Sequence, residues 1–445
     1  MEFDTIVVGS GTSAYNAVDG LNKAGQRVAI VDERPYGGTC TLRGCQPKKY
    51  LVSNAEAVAM ARHLAGKGIA GKPETDWQSL QALKNAFLEG QSEGEVKRWQ
   101  EAGVTTFRGR AVMSGENEVT VDQKRLTAQH IVLATGATPR RTEIPGSEHV
   151  HDSEYFLNLP DLPNRILFIG GGYISFEFAH VAIHAGAEEV TILHRSSRPL
   201  KAFDQDMVKT VLKAGEAEGI KVVLNESPEA VESTEKGLVI RGSKGAIYEA
   251  DLIIEGTGRI PNLSVLEGGQ GNVNSSSEGI TVNEFMQSVS NPHVYAVGDC
   301  AATGYMLAPV ADEEGKTAAV NILKGNIRTI DYSVVPGALF TIPGIGSVGF
   351  TEEQAKDQRL DFRVNQGTTA QWPSSKRIGE EYGSYKILID NQSNEILGAH
   401  IVRHNSCEAI NVFALAMKYR IKASELAEFM WAYPTITSDL KYMVK

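Results

Sequence analysis

The chain has few cysteines, no excess of basic charge and no long apolar run. Its 445 residues include 4 cysteines, and 44 lysines and arginines stand against 54 aspartates and glutamates, which gives a formal net charge of −10. This balance argues against nucleic acid or an anionic membrane surface as a partner. Because a membrane-spanning helix needs roughly 18 consecutive apolar residues, the sequence predicts no transmembrane segment.

A secretory signal is also missing. The chain begins MEFDTIVVGSG, with an acidic residue followed directly by a strand-like run, whereas a signal peptide carries basic residues before its apolar core. We therefore expect a cytoplasmic protein. Disulfide frameworks are rare in that reducing compartment, so a close cysteine pair is more typically catalytic or metal-binding there.

Cys40 and Cys45 form such a pair in the stretch GGTCTLRGCQPKK. A zinc site would need four ligands, usually with tighter cysteine spacing, and no histidine lies near the pair. A purely structural disulfide is disfavoured by the compartment. The pair is therefore interpreted as a working dithiol, and no metal site is expected. Cys300 and Cys407 stand singly among apolar residues and are expected to be small core residues.

The N-terminal segment carries a dinucleotide-binding pattern. A strand over Thr5 to Val8 leads into Gly9-x-Gly11-x-x-Ala14, a helix follows, and the next strand ends in Asp32, 23 positions after Gly9. In this pattern the glycines let the backbone approach a pyrophosphate at the helix N-terminus, and the acid binds a ribose hydroxyl. The context of strand, helix and acid predicts nucleotide binding.

The same pattern recurs in RILFIGGGYISFEFAHVAIHAGAEEVTILHR, with glycines at Gly170 and Gly172. Two such units predict two dinucleotides. The second strand ends without an acid and is followed by the basic residues His194, Arg195, Arg198 and Lys201. Basic side chains suit a 2′-phosphate, so this half favours NADPH, although the same residues could be ordinary exposed surface.

Three further stretches have a strand-plus-turn pattern: residues 130–139, residues 252–262, and VYAVGDCA at 294–301, where Asp299 follows an apolar strand. An acid at such a strand end can hold the sugar chain of a cofactor. Residues 53–103 are rich in Ala, Glu and Lys and are predicted to be helical. From Tyr332 onward the pattern is typical of an α+β domain without a nucleotide loop.

The motifs GSGTSA, GGTCTLRGCQPKK, LATGATP, GGGYISFE, GTGRIPN and VYAVGDC together resemble the flavoprotein disulfide reductases, the group of glutathione reductase, dihydrolipoamide dehydrogenase and mercuric reductase. The resemblance covers essentially the whole chain. It implies an α/β fold with two Rossmann-like dinucleotide-binding domains and a C-terminal α+β dimerisation domain. The expected boundaries are 1–144 plus 267–330 for FAD, 145–266 for NAD(P)H and 331–445 for the homodimer interface.

The resemblance also implies roles by position. Cys40 and Cys45 would form a redox disulfide beside the flavin, with Cys45 in contact with the flavin and Cys40 attacking the substrate. Lys48 and Glu177 would form an ion pair near the reactive nitrogen of the flavin, and electrons would pass from NADPH to FAD to the disulfide. The implied cofactor contacts in the FAD-binding and adjoining segments are Gly9, Gly11, Ala14, Asp32, Thr39, Thr135, Gly136, Arg259, Asp299 and Ala308. The implied contacts with NADPH are Gly170, Gly172, Tyr173, Arg195 and Lys201. Tyr173 would cover the nicotinamide pocket until NADPH enters.

The sequence departs from the family near its C-terminus. Disulfide-reducing members carry His-Pro-Thr followed shortly by Glu, and here Tyr433 and Ser438 stand in those two positions. Histidine titrates near neutrality, whereas tyrosine has a reference pKa of ~10 and is a poor base at pH 7. Tyr433 is therefore interpreted in one of two ways. It either donates a hydrogen bond or acts as an acid late in the reaction, or it only packs at the interface.

The substrate is the open question. Asp19 occupies the position at which glutathione reductases carry an arginine that binds the glutathione carboxylates, so glutathione disulfide is disfavoured by like charge. The acidic run Asp312-Glu313-Glu314 supports the same conclusion, unless it is only a solvated helix face. Three interpretations remain: an NADPH-dependent reductase of a small or protein disulfide, a reductase of a metal ion, quinone or other acceptor, and a slow redox sensor. A mercury substrate is disfavoured because the chain ends without a cysteine pair.

Overall fold

The computed structural model describes residues 1–445 and consists of 24 strands and 14 α-helices joined by short loops. The first part of the chain contains β1 (Glu2–Val8), α1 (Thr12–Lys23), β2 (Val28–Asp32), α2 (Gly38–Arg43), α3 (Cys45–His63), α4 (Trp77–Leu88), α5 (Gln91–Glu101), β3 (Thr105–Arg108), β4 (Ala111–Gly115), β5 (Glu118–Val121), β6 (Lys124–Leu133) and β7 (Ala137–Pro139). The middle part contains β8 (Val150–His151), α6 (Ser153–Leu157), β9 (Arg165–Ile169), α7 (Tyr173–Ala185), β10 (Glu189–His194), α8 (Gln205–Ala217), β11 (Ile220–Leu224), β12 (Pro228–Thr234), β13 (Gly237–Gly242), β14 (Ile247–Ala250) and β15 (Leu252–Glu255).

The remainder of the chain contains β16 (Arg259–Pro261), β17 (Ser275–Ser276), β18 (Gly279–Ile280), β19 (Val294–Ala296), α9 (Ala308–Lys324), β20 (Gly337–Leu339), β21 (Gly344–Gly349), α10 (Glu352–Asp357), β22 (Phe362–Thr368), α11 (Pro373–Lys376), β23 (Ser384–Asp390), β24 (Ile396–Arg403), α12 (Ser406–Lys418), α13 (Ala423–Glu428) and α14 (Leu440–Met443). None of the helices combines the length and the apolar character needed to span a bilayer.

The chain divides into two compact units. Unit 1 comprises Met1–Lys49, Ala82–Arg140 and Arg259–Asp331, and unit 2 comprises Tyr50–Gln81, Arg141–Gly258 and Tyr332–Lys445. The change between Asp331 and Tyr332 coincides with the start of the predicted C-terminal domain. Unit 2 includes both the predicted nucleotide domain of the middle part and the predicted C-terminal domain.

Unit 1 is built on a seven-stranded sheet in the order β3-β2-β1-β6-β5-β4, with β19 also paired to β6. Strand β1 lies parallel to both of its neighbours, and Thr5 is level with Val28 on one side and His130 on the other. Residues 5–8 are buried on both faces, which explains why they form an unbroken β-branched and apolar run rather than an alternating one. This parallel core matches the predicted dinucleotide fold.

Helices α1 and α9 pack closely against each other in unit 1. A Cβ atom at Gly315 of α9 would lie 2.2 Å from the Ser13 carbonyl oxygen, and one at Gly20 of α1 would lie 2.9 Å from the Ala319 Cβ. Only glycine at these two positions permits this separation between the helix backbones. The two helices therefore have a fixed relative position, and this also fixes the relative positions of the side chains on their facing surfaces.

Unit 2 contains a parallel sheet in the order β11-β10-β9-β15-β8, a three-stranded antiparallel sheet of β12 to β14, and an antiparallel sheet in the order β20-β21-β24-β23-β22. Helix α7 is buried along most of its length, including His180 and His184. The antiparallel sheet of the C-terminal part packs against α12 around Ile387, Ile401 and Phe413. The α/β prediction with a C-terminal α+β part is confirmed.

The helical prediction for residues 53–103 is correct for α3, α4 and α5 but not for the connection between α3 and α4. Residues 64–76 form turns, and Gly66, Gly68 and Gly71 adopt positive φ angles of 72°, 121° and 77°. Glycine populates this left-handed region readily and interrupts helices. The alanine-rich composition of the wider segment concealed this local break.

Candidate functional site

A cleft in unit 1 opens at the carboxyl ends of β1, β2 and β6, where ligands bind in open parallel sheets. Its lining includes the glycine turn after β1, the end of β2, the start of α2 and the turn after β6. The predicted site residues that line it are Gly9, Gly11, Asp32, Thr39, Thr135 and Gly136. Ala14 lies one turn inside α1 and is fully buried.

Bare backbone forms the floor of this cleft. Gly9 has a φ angle of 109°, and a Cβ atom there would lie 2.1 Å from the Ala134 carbonyl oxygen. A Cβ atom at Gly38 would lie 2.3 Å from the Gly11 Cα. The three glycines thus bring three backbone segments together beside the N-terminus of α1, as close approach to a pyrophosphate requires. The residues present fit a dinucleotide.

Asp32 is held at the cleft by hydrogen bonds that fix its orientation. Ser10 Oγ donates to Asp32 Oδ2 at 2.6 Å, and the Arg34 amide donates to Oδ1 at 2.8 Å. The Gly37 amide in turn donates to Ser10 Oγ at 3.2 Å. Ser10 occupies a variable position of the glycine motif, and no sequence pattern indicated its bridging role.

Asp299 lies half-buried in the short 3₁₀ turn after β19. Burial raises the pKa of its carboxyl group, and the nearby Arg259 guanidinium opposes that shift. Arg259 also donates a hydrogen bond to the Ala137 carbonyl, which joins β16 to β7. Ala308 is the first residue of α9. The sequence predicted Asp299 at the end of a strand, but the link between Arg259 and Asp299 needed the fold.

Thr135 and Gly136 form the turn that follows β6. Thr135 Oγ1 donates to the Asn262 carbonyl at 2.6 Å, and the Asn262 amide donates to the Gly136 carbonyl at 2.8 Å. Gly136 has a φ angle of 68°. This reciprocal pairing fixes the turn after β6 against Asn262 at the edge of the cleft.

Cys40 lies in α2 and Cys45 is the first residue of α3, and both are reduced thiols. A hydrogen bond to the Cys45 sulfur and then burial raise the pKa of the Cys40 thiol well above its ordinary value. The charge of Asp312 raises it further, whereas Lys48 lowers it. Because Cys45 lies at a helix N-terminus and is exposed, its sulfur is the better position for the negative charge of the pair.

The acidic run on α9 does not form one surface. Glu314 is fully buried, and its carboxylate accepts hydrogen bonds from the Gly298 amide at 2.6 Å and the Thr303 hydroxyl at 2.8 Å. Glu313 forms ion pairs with Lys316 and Arg328, each at 2.8 Å. Asp312 is the member whose charge reaches Cys40. The interpretation of this acidic run as a solvated helix face is therefore wrong for Glu314.

The second glycine turn lies in unit 2, between β9 and α7. Gly170 has a φ angle of 105°, and a Cβ atom there would lie 2.6 Å from the Gly256 carbonyl oxygen. Gly172 is the N-cap of α7, and Tyr173 begins the helix with 48% of its side chain exposed. The turn therefore offers the same bare backbone at a helix N-terminus as the first one.

The end of β10 differs from the end of β2. His194 Nδ1 accepts a hydrogen bond from the Gly171 amide at 3.0 Å, so the imidazole takes the place of the acid in fixing the glycine turn. Burial lowers the pKa of His194. Arg195 and Lys201 are exposed, but Arg198 forms a two-point ion pair with Glu353, in which Arg198 Nη1 lies 3.1 Å from Glu353 Oε1.

Glu177, on α7, is buried, and its Oε1 accepts a hydrogen bond from the Phe340 amide at 3.0 Å. The predicted ion pair between Glu177 and Lys48 stays a prediction. The contact with Phe340, which follows β20, was not visible in the sequence because 163 residues separate the two.

Tyr433 lies in the loop between α13 and α14 with 75% of its side chain exposed. Ser438 is buried, and its Oγ donates to the Thr435 carbonyl at 2.6 Å and accepts from the Thr435 amide at 3.3 Å. Ser438 thus closes a local turn two residues beyond Tyr433. The neighbouring Asp439 forms a buried ion pair with Arg403 at 2.9 Å.

Comparison with known proteins agrees with this arrangement. The model of the pyridine nucleotide-disulphide oxidoreductases matches residues 3–315, and the model of their dimerisation domain matches residues 335–444. The chain is 32% identical to glutathione reductase of Burkholderia cepacia over 98% of this chain and 97% of that protein. It is 30% identical to mercuric reductase of Staphylococcus aureus over 99% of this chain and 81% of that protein.

The fold is also that of the HOCl-induced flavoprotein disulfide reductase RclA from Escherichia coli, with a TM-score of 0.90 and 24% identity over 100% of this chain and 99% of that one. The chain belongs to the pyridine nucleotide-disulphide oxidoreductase family. It is an FAD-containing, NAD(P)H-dependent oxidoreductase of the class that acts on sulfur groups. When bound, FAD and the nicotinamide supply the hydride and electron transfer chemistry of this class.

Proposed function

We propose that this protein is a cytoplasmic, homodimeric reductase that carries electrons from NADPH through FAD and the Cys40–Cys45 pair to a disulfide other than glutathione disulfide. The observation that carries this proposal is the placement of the pair. Gly38 contacts Gly11 at the dinucleotide cleft, so α2 and its Cys40 begin directly beside the proposed FAD site. A dithiol at that position can receive electrons from a bound flavin.

The two cysteines have distinct proposed roles. Cys45, exposed at the N-terminus of α3, holds the thiolate, which a helix N-terminus stabilises. Cys40 stays protonated until substrate arrives, because its hydrogen bond to Cys45 and its burial raise its pKa. A base must then remove its proton, and the exposed Tyr433 is a weak one. We therefore expect turnover of disulfides to be slow at pH 7 and to rise toward pH 9.

The preference for NADPH is supported by the basic residues after β10. His194 replaces the acid that would bind a free 2′-hydroxyl, and the exposed Arg195 and Lys201 can approach a 2′-phosphate. Lys48 and Glu177 are proposed to position the flavin, as the family resemblance implies. The C-terminal part, which includes the exposed Phe429, Met430 and Tyr433, is proposed to form the dimer contact.

A second candidate function is reduction of a metal ion or another acceptor that needs no thiol protonation. One observation favours it. Ser438, at the position that would orient a catalytic base, instead uses its hydroxyl group in hydrogen bonds with the Thr435 backbone that close a local turn. One relative, 30% identical to this chain, is a mercuric reductase. The third interpretation, a slow redox sensor, is tested by the same measurements.

The test is anaerobic titration of the purified protein with NADPH and with NADH, for the wild type beside Cys40→Ser. Two electrons from NADPH should produce a long-wavelength thiolate-to-flavin absorbance in the wild type, with the flavin otherwise oxidised. In Cys40→Ser the disulfide cannot form, and that absorbance should be present before any reductant is added. Simple bleaching of the wild-type flavin would contradict the proposal, because the cysteine pair would then not exchange electrons with it.

The acceptor is tested next by steady-state NADPH oxidation. Disulfide turnover that rises between pH 7 and pH 9 supports the first function. Reduction of a thiophilic metal ion or a quinone without disulfide turnover supports the second. Absence of steady NADPH oxidation with every acceptor would support the sensor interpretation.

A further inference from the structure

Asp312 is held against α1 by contacts that the family motifs do not include, and its charge acts on the Cys40 thiol. It lies in the second turn of α9 and is half-buried. Asn16 of α1 donates its Nδ2 to Asp312 Oδ1 at 2.7 Å and to the Thr12 carbonyl at 3.0 Å. The amide therefore connects the carboxylate to the first turn of α1, and a donor of this kind stabilises the charged form.

The same turn of α1 adjoins the start of α2. The Gly38 backbone contacts Gly11, directly before α1, and Cys40 follows two residues after Gly38. The contact of Gly315 with Ser13 fixes α9 against α1 at the level of Asn16. Asp312 is thus fixed close to Cys40, and its charge acts on the Cys40 thiol.

The neighbouring charges decide what Asp312 can do. Asp19, one turn further along α1 than Asn16, forms an exposed ion pair with Lys23 at 2.9 Å, which screens its charge. Glu313 is paired with Lys316 and Arg328 on the outer side of α9. Lys48 supplies the opposing positive charge near Cys40.

We propose that Asp312 selects the acceptor by charge, so that disulfides with amino groups reach Cys40 more readily than disulfides with carboxylates. This inference rests on the proposed function and names its substrate class. Cys40 attacks one sulfur of the substrate, which breaks the S–S bond, forms a mixed disulfide and releases one thiol. Cys45 then attacks Cys40, which releases the second thiol and forms the Cys40–Cys45 disulfide. The two electrons come from the dithiol, and NAD(P)H restores them through FAD.

The test compares cystamine, a cationic disulfide, with 3,3′-dithiodipropionate, an anionic one. The wild type should show a higher kcat/KM for cystamine than for 3,3′-dithiodipropionate. Asp312→Asn should lower the ratio of these two kcat/KM values by about three- to tenfold, as expected for the loss of one nearby, partly screened charge. A general change in Cys40 reactivity alters both rates equally and cancels in the ratio. Glu313→Gln, on the same helix, should leave the ratio unchanged, and Asp312→Glu should restore it.

A second measurement separates this inference from the proposed function. A Cys45→Ser variant, in which Cys40 is the one thiol left of the pair, is labelled at Cys40 with a cationic and an anionic methanethiosulfonate, which needs no turnover and releases methanesulfinate. The labelling is repeated with Asp312→Asn in the same Cys45→Ser background. Charge selection is supported if the cationic reagent labels Cys40 faster than the anionic reagent and if Asp312→Asn makes the two labelling rates equal. This result would support charge selection even if neither disulfide is turned over and the proposed function fails. Unchanged turnover and labelling ratios in Asp312→Asn would overturn the inference, even if both disulfides are substrates.

Discussion

Lys386 forms a buried ionic cluster in unit 2, and its removal should strongly destabilise the protein. Its Nζ atom lies 3.2 Å from Asp204, 2.6 Å from Asp206 and 2.8 Å from Glu352, and only 2% of the side chain is exposed. Burial alone would lower its pKa, but the three carboxylates outweigh burial and raise it. The cluster joins the N-terminal end of α8, with its N-cap Asp204, to β23 and α10.

Lys386→Met removes the one cation that the three carboxylates share, although Asp206 keeps Lys209 and Glu352 keeps Lys356 as a partner. Removal of one partner from a buried ion pair costs about 3–5 kcal/mol. Asp204 is 5% exposed, but Asp206 is 48% exposed and partly screened, so we expect about 3 kcal/mol at pH 7. The measurement is the free energy of unfolding from urea denaturation followed by circular dichroism.

The loss should depend on pH in a defined direction. The pKa of Asp206 is lowered to about 2 by Lys209 and then Lys386, and that of Glu352 is lowered by Lys356 and then Lys386. Carboxylates with lowered pKa stabilise the fold above their unfolded pKa values of ~4, and this contribution disappears as the pH falls toward 2. The difference between wild type and Lys386→Met should therefore shrink between pH 7 and pH 3, by less than about 1 kcal/mol because Asp206 is half exposed and screened and because Lys209 and Lys356 remain.

Lys209→Met is the matched control. Lys209 also contacts Asp206, at 2.8 Å, but 69% of its side chain is exposed. Exposed ion pairs contribute little, so this change should cost less than about 1 kcal/mol. Equal losses for the two variants, or a loss in Lys386→Met that does not change with pH, would refute the reasoning from burial.

Two further predictions concern the cofactors. Gly9→Ala should lose most of its bound FAD, because the new Cβ atom would lie 2.1 Å from the Ala134 carbonyl oxygen. The measurement is the ratio of flavin to protein absorbance. The control is Gly25→Ala, which should retain FAD because Gly25 also has a positive φ angle, 84°, but open space around it. Glu353→Gln should release Arg198 for the 2′-phosphate and lower KM for NADPH about two- to fivefold while KM for NADH stays constant, since exposed pairs are worth up to about 1 kcal/mol. Equal effects on both nucleotides would contradict this role of Arg198.

The sequence by itself determined the class of fold, and it predicted the chemistry-bearing positions. Gly9, Gly11 and Asp32 could be recognised because a glycine turn between a buried strand and a helix is a local pattern with a fixed spacing. The cysteine pair was equally local, and so was the change of pattern at Tyr332. Such features depend on backbone conformation within about 30 residues, which neighbouring residue types largely fix.

Tertiary structure alone decided which of the charged residues act together. Asp312, Glu313 and Glu314 are adjacent in the chain, yet the first accepts a hydrogen bond from α1, the second forms ion pairs with Lys316 and Arg328, and the third is buried beneath the Gly298 amide. Some partners are far apart in the sequence: Asp439 and Arg403 are 36 residues apart, and Asn16 and Asp312 are 296 residues apart. Burial and charge pairing depend on distances that only the packed chain sets, and no spacing along the sequence encodes them.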